Sequence, residues 1–312
     1  MKKWIIAITS FIILMSLTYV FIPDTISINR SVVINNNIKS LYRCFSEQDN
    51  WKKWWPGKSS TDGLLLNGKT YSLPDRTVSS VFVDIDHAGG SSSSSITFIP
   101  EGTNNVKLEW DAQIITSYNP IKRLQVYFST KNLAADFDLL LGKMKLFSSS
   151  TENLYGIDIR RELVKDSALV STYDSSKGYP SVEKIYSLVD ELRNYVNSQQ
   201  AVVTDSPMLN IYTKDSIYYL TKVALPTSRR LPSSGKIEYR WMLGRGNILA
   251  ADVKGGDKSL QKGFETVENY VQDHELAAPA IPFYSLITNR LAQPDSSKWI
   301  TRIYYPIMYY YD

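Results

Sequence analysis

One cysteine and two histidines in 312 residues leave few ways to bind a metal. Cys44 stands alone, so no intrachain disulfide can form. With only His87 and His274 beside it, a zinc site of the usual Cys/His kind is not expected, and no metal or other cofactor is called for. Cys44 lies among Leu41, Tyr42 and Phe45 at a helical position and reads as a buried, inert thiol. An excess of charge of one sign is also missing. Thirty-five Lys and Arg face thirty-one Asp and Glu, for a net charge of +4, and no basic tract is long enough for a nucleic-acid footprint. No nucleophile stands at a defensible spacing from a base, so no catalytic residue is expected and the balance leans away from an enzyme. His87, in a Gly/Ser-rich segment, reads as a solvated side chain.

What remains is globular. Hydrophobic residues make up 43% and charged residues 21%, values of a folded protein rather than a disordered one. The length points to two domains. Twenty-one Tyr and seven Trp supply amphipathic rings for core corners and pocket walls.

One stretch lacks charge altogether. Residues 4–22, WIIAITSFIILMSLTYVFI, run for 19 residues without Asp, Glu, Lys or Arg, about the length a helix needs to cross a hydrocarbon core. Lys2 and Lys3 precede it and Asp24 follows it. The positive-inside tendency then puts the N-terminus in the cytoplasm and the rest outside, in the periplasm if the host has two membranes. The run exceeds a signal-peptide core, and the exit Val20-Phe21-Ile22-Pro23-Asp24 offers no small-x-small cleavage site. Residues 1–23 therefore read as a single-pass anchor.

Residues 24–150 form a first region. A strand at Ile26–Val33 is followed by an Asn-rich break at Asn35–Asn37 and a short helix at Ile38–Ser46, then Trp51-Lys52-Lys53-Trp54-Trp55-Pro56. Strands are expected at Lys69–Leu73, Thr77–Asp84, Ser95–Ile99, Val106–Ile115 and Leu124–Phe128, and Ser91–Ser95 as a flexible hairpin loop. Ala134, Phe137, Leu140, Leu141, Met144 and Phe147 recur at helical spacing and close the region. This order, with the segment Ile28–Pro56, resembles the START-like helix-grip fold of the polyketide-cyclase/SRPBCC superfamily. The resemblance implies a curved sheet wrapped on the last helix around an apolar cavity.

Residues 154–312 contain an internal repeat. The helix Ser181–Asn197 shows Ile185, Leu188, Val189, Leu192, Tyr195 and Val196 on one face. The helix Lys258–His274 shows Leu260, Gly263, Phe264, Val267, Tyr270 and Val271 at a constant offset of 75. Pro-x4-Tyr follows each helix, as Pro207 with Tyr212 and Pro279 with Tyr284, and the strands Leu220–Pro226 and Ile300–Pro306 close the copies. Two strand–helix–strand–strand halves related by a pseudo-two-fold then make one sheet with both helices on one face. The fold class is thus α+β: transmembrane helix, helix-grip domain, duplicated domain.

The repeat, with Val253-Lys254-Gly255-Gly256 before the second helix and Trp299–Ile307 at the end, resembles the GyrI-like effector-binding domain, which is related to the SOUL haem-binding fold. That resemblance implies a cleft for aromatic or cationic small molecules, with an acid just after the Thr of the closing strand. Here that position is Arg302, and its repeat mate is Lys222. Two cations in one cleft would repel a cationic ligand and tolerate an anionic one, unless Glu238 and Asp252 neutralise them. Strand alternation puts Ile300, Arg302 and Tyr304 on one face, and Trp299, Ile303 and Tyr305 on the other. The expected ligand-binding residues are Arg302, Tyr304, Tyr284, Tyr212, Trp241 and Lys222. No DNA-binding region accompanies the domain. The leading expectation is a membrane-tethered protein that binds or senses a small hydrophobic or aromatic molecule without catalysis. The alternatives are a lipid-handling or envelope scaffold protein, or a hydrolase or cyclase acting in one of the clefts.

Overall fold

The chain begins as helix α1 (Lys2–Phe21), and three residues later enters strand β1 (Thr25–Asn35). The computed structural model describes residues 2–87, 90–102, 104–165, 168–213, 217–242 and 244–308; side chains at positions 2, 3, 5–9, 11, 12 and 14 lie outside the description. Eight of the nineteen residues of the anchor expected at 4–22 are among those positions, and among the described residues no helix is long and apolar enough to cross a membrane. The exit of α1 is tied down. Buried Arg123 donates to the Ile22 carbonyl through Nε at 3.0 Å and also through Nη2, which pairs with Asp24 at 2.7 Å. A carbonyl left orphaned at a helix end thus gains a charged donor.

The chain divides into two units, Met1–Leu154 and Tyr155–Asp312. In the first, β1 leads to the short helices α2 (Ile38–Phe45) and α3 (Gln48–Trp51). Then come β2 (Lys58–Ser59), β3 (Leu64–Leu66), β4 (Lys69–Ser72), β5 (Ser80–His87), β6 (Gly90–Pro100) and β7 (Asn105–Ile115). The antiparallel sheet has the order β1-β7-β6-β5-β4-β3-β2. Helix α4 (Pro120–Phe147) lies along β1, followed by the short α5 (Thr151–Tyr155).

Two expectations fail here. Leu124–Phe128 is not a strand but part of α4. Asn119 caps the helix by accepting from the Ile121 and Lys122 amides, and Pro120 takes its first position. Buried Arg123, Val126, Thr130 and Leu133 then recur at helical spacing, so a period of three to four overrides the local β-type composition. Ser91–Ser95 is not a loop but part of β6. Ser93 and Ser94 find their side-chain partners within the sheet. Ser93 Oγ donates to Asp84 at 2.6 Å, while buried Ser94 donates to the Val83 carbonyl and accepts from Trp110 Nε1.

Rings occupy the space between sheet and helix where the resemblance implies a cavity. Trp51 contacts Trp54, Trp55 and Trp110, and Trp110 stacks on Phe137 of α4 at 4.3 Å. Cys44 is buried beside them, and desolvation pushes its thiol up to about 11.

One polar cluster sits in this interior. Asp136 of α4 accepts from Lys69 Nζ at 2.6 Å, Asn67 Nδ2 at 2.7 Å and Tyr71 Oη at 3.0 Å. The side chains of Lys69 and Asp136 are only 8% and 3% exposed. Burial, then the Asp136 charge, pushes the Tyr71 phenol well above its usual range. Asn67 and Gly68 both have positive φ, as a two-residue turn of type I′ requires, and the turn delivers Asn67 to the carboxylate.

In the second unit an antiparallel sheet has the order β12-β9-β11-β10-β14-β15-β13-β8. Its strands are β8 (Ile159–Leu163), β9 (Ala168–Lys177), β10 (Met208–Thr213), β11 (Tyr218–Pro226), β12 (Glu238–Trp241), β13 (Asn247–Lys254), β14 (Phe283–Leu286) and β15 (Ile300–Pro306). Helix α6 (Val182–Ser198) follows β9, and α7 (Asp257–Asp273) follows β13. The strand order reads the same from either end under the exchange of repeats, with β10 against β14 at the centre. Both helices bury their apolar faces on one side of the sheet. Gly263 permits α7 a close approach, since a Cβ there would lie 2.5 Å from Val253 Cγ2. Gly255 hands β13 over to α7 at a φ of +126°.

Asp136→Ala leaves the Lys69 ammonium buried without its partner and should destabilise the first unit by about 3–5 kcal/mol. Replacing both residues with leucine should cost much less, because no unpaired charge remains. Urea unfolding of the two variants checks this; equal losses would show that the pair adds only packing.

Candidate ligand site

Strand alternation sorts the residues of β15. Thr301 and Ile303 are buried on the helix side, so Arg302 and Tyr304 point to the opposite, open face. The register sets the neighbours of each cation. Arg302 stands between Asp252 of β13 and Ser285 of β14, whereas Lys222 stands between Tyr173 of β9 and Asn210 of β10.

That difference decides the charge of the site. Asp252 Oδ1 accepts from Arg302 Nε at 2.6 Å and Oδ2 from Arg302 Nη2 at 3.0 Å, while Arg160 also reaches Oδ2 at 3.1 Å. The bonds from Arg302 hold the Asp252 carboxyl below the usual range, against the opposing effect of burial. The guanidinium of Arg302 is correspondingly raised. Glu238 pairs with Arg240, not with Lys222. Of the two neutralising residues left open by the sequence, Asp252 pairs with Arg302, while Glu238 does not reach Lys222. Lys222 has the Tyr212 ring 5.6 Å from its Nζ, and among the described residues no carboxylate forms an ion pair with it.

A cavity of about 300 Å³ opens at Lys222. Ser171, Asn210 and Ala224 contribute to its floor, and Met208, Met242 and Phe283 to its apolar wall. These last three also line a smaller cavity, about 80 Å³, against Arg302 and Tyr304. The Phe283 and Tyr304 rings are in contact at 5.2 Å.

Of the six expected residues, the open face carries Lys222, Tyr212, Arg302 and Tyr304. Tyr284 is not among them. It pairs with Ile303 and Leu209 on the helix side and packs its ring edge on Phe264 of α7. Trp241 pairs with Ala168 and points opposite to Glu238 and Arg240, away from the cavity. The Pro-x4-Tyr spacing is thus conserved between the copies while the strand phase is not, and Tyr212 and Tyr284 face opposite sides. Sequence reasoning missed Phe283 and Met242, each adjacent to a residue it chose. A strand phase counted from Arg302 across the ladder, rather than from proline spacing, selects Phe283. His274 is remote from this site and stacks on Tyr270 at 4.0 Å. Among the described residues no group of three or more His, Cys, Asp or Glu could hold a metal ion.

The architecture defines a two-domain α+β protein built on antiparallel sheets. Among solved structures the chain is similar to the EcmrR C-terminal domain, with 14% identity over 49% of this chain and 99% of that one, at a TM-score of 0.42. It is similar to SAV2435 bound to tetraphenylphosphonium, with 12% identity over 48% of this chain and 94% of that one, at a TM-score of 0.32. Along 91% of its length it is similar to the di-domain aromatase/cyclase BexL from the BE-7585A biosynthetic pathway, covering 85% of that chain with 10% identity and a TM-score of 0.33. The sequence matches no family model and no curated protein.

A depressed carboxyl pKa contributes stability above the unfolded value, about 4, that is lost as pH falls through the folded value. Arg302→Gln should therefore destabilise the second unit most near neutral pH, and the gap to wild type should narrow as the solution is acidified below pH 4 or so. Urea midpoints across that range check this; a gap independent of pH would show that Arg302 acts by packing alone.

Proposed function

We infer that this protein binds a small, largely apolar or aromatic molecule carrying one acidic group, on the open face of the second sheet, and does so without catalysis. The supporting observation is Lys222, a cation in the lining that has no carboxylate partner among the described residues, set beside an apolar wall of Met208, Met242 and Phe283. A volume near 300 Å³ suits a compact ligand. In this reading Arg302 and Asp252 form a neutral, rigid border, and Tyr304 and Tyr212 supply ring contacts. Residues 24–150 and 154–312 act as separate domains. Residues 4–22 tether the chain to a membrane with its N-terminus in the cytoplasm and both domains outside it; the charge-free run and the lysines before it support this.

Tetraphenylborate and tetraphenylphosphonium, nearly equal in shape and opposite in charge, serve as a probe pair. The wild type should favour the borate by about tenfold, equivalent to roughly 1.4 kcal/mol. Lys222→Glu should reverse the order, and Arg302→Gln should change it little. Calorimetric titration reads all three; equal affinity of the wild type for both ions would refute the assigned charge preference.

A further inference from the structure

The chain leaves α1 with very little slack. Only Ile22, Pro23 and Asp24 separate Phe21 from the first residue of β1, a reach of at most about 14 Å. Even that reach is held. Thr116 Oγ1 donates to the Pro23 and Asp24 carbonyls at 2.9 and 3.0 Å, and the Thr116 amide donates to Asp24 at 2.8 Å. Arg123 lies over the Tyr19 ring at 5.1 Å, and the Tyr19 hydroxyl donates to the Tyr118 carbonyl. Thr18 and Ile22 are buried, and α1 packs on α4.

This geometry has a length problem. A helix of 20 residues measures about 30 Å, the whole thickness of a hydrocarbon core. Its last turn is nevertheless committed to contacts with α4 and the loop before it. If α1 spans the bilayer, the first turns of α4 and the end of β7 must come to the lipid boundary with it.

That corner is apolar where a soluble surface would be polar. Ile115 at the end of β7 is 81% exposed, and Tyr118 in the following loop is 91% exposed. Ile121 and Phe128, seven residues apart on one face of α4, are exposed as well, as are Val20 and Phe21 of α1. Lys122 and Lys131 flank them, and Lys131 Nζ sits 5.3 Å from the Tyr127 ring. Apolar side chains, a tyrosine and lysines able to snorkel are the set that settles at a membrane interface. Anionic headgroups attract such lysines.

We propose that the first unit rests on the bilayer through this corner, with Tyr118, Ile121 and Phe128 inserted among the lipids of the leaflet from which α1 emerges. The surface rests on the reading of α1 as an anchor, and its continuity with α1 selects lipid as the occupant. It fixes the orientation of the unit on the membrane, which a flexible tether would leave free.

The buried Cys44, with its thiol pushed up to about 11, lets an introduced cysteine be labelled selectively. The full chain carrying Ile121→Cys, or in a second protein Phe128→Cys, is labelled with a fluorophore and reconstituted into phosphatidylcholine–phosphatidylglycerol vesicles. Val78→Cys is the control. Residue 78 is 96% exposed and lies at the Asn35 end of the sheet, beside Thr77, whose carbonyl accepts from Tyr42 of α2. Acyl-chain nitroxide lipids should quench the labels at 121 and 128 several-fold more than the label at 78. Equal quenching in protein that floats with the vesicles overturns the surface and leaves the anchor standing. Labels at 121 and 128 shielded from both nitroxide lipid and aqueous iodide would show a protein on the patch and overturn it too. Protein that fails to float overturns the anchor and the surface together.

Discussion

Two hydrogen bonds between Asp252 and Arg302 set the electrostatics of the whole open face. They cancel a charge that the closing strand would otherwise present, and Arg160 closes the cluster from the neighbouring strand. The sheet is symmetric in strand order, so the position beside Lys222 that corresponds to Asp252 beside Arg302 is Tyr173. A duplicated backbone has kept its ladder and lost its duplicated chemistry: one half carries a satisfied ion pair, the other a cation beside rings. The cavity of about 300 Å³ lies at Lys222, an exposed cation that has no carboxylate partner among the described residues. A site of one sign can arise in this way without any residue foreign to the repeat.

The first unit solves a different problem. Its sheet and long helix could enclose a cavity, but tryptophans and Phe137 fill the interior, and a buried ion pair reaches from β4 to α4. Desolvating that pair is costly, and its extra bonds from Asn67 and Tyr71 offset part of the cost while fixing how the helix sits on the strand. Hydrogen bonds to charged groups are directional, whereas ring packing tolerates sliding. The cluster therefore supplies register where the aromatic core supplies bulk.

Helices were readable where apolar residues recur over many turns, as in α6 and α7, and the repeat pointed to a second sheet of two related halves with both helices on one face. The failures share one cause, that a local pattern can serve two partners. Leu124–Phe128 alternates like a strand, yet also presents Val126 to the core as the continuation of Leu133 and Phe137. Ser91–Ser95 has the composition of a loop, yet the hydroxyls of Ser93 and Ser94 find partners on the neighbouring strands. Tyr284 and Phe283 differ by one position, and in a strand one position is the whole difference between core and solvent. Asp136 was legible in principle: an acid on the apolar stripe of α4 needs a buried partner, and the Asn67-Gly68 turn ahead of Lys69 points to where that partner stands. Asp252 could be named from the sequence as a possible partner of Arg302, but the choice between it and Glu238 depends on strands fifty residues apart finding their register.

The distribution of indoles gives the two units different optical characters. Trp51, Trp54, Trp55 and Trp110 form one buried cluster in the first unit, with ring centres as close as 4.9 Å. The second unit has an exposed Trp241 and Trp299, whose face is covered by the Arg290 guanidinium at 4.6 Å. Excitation energy absorbed by the cluster will pass among coupled rings, and the near-ultraviolet circular dichroism of the chain will be dominated by their fixed mutual angles. The same protein thus carries a built-in spectroscopic label for the integrity of its first unit, while the lining of the Lys222 cavity contains no indole.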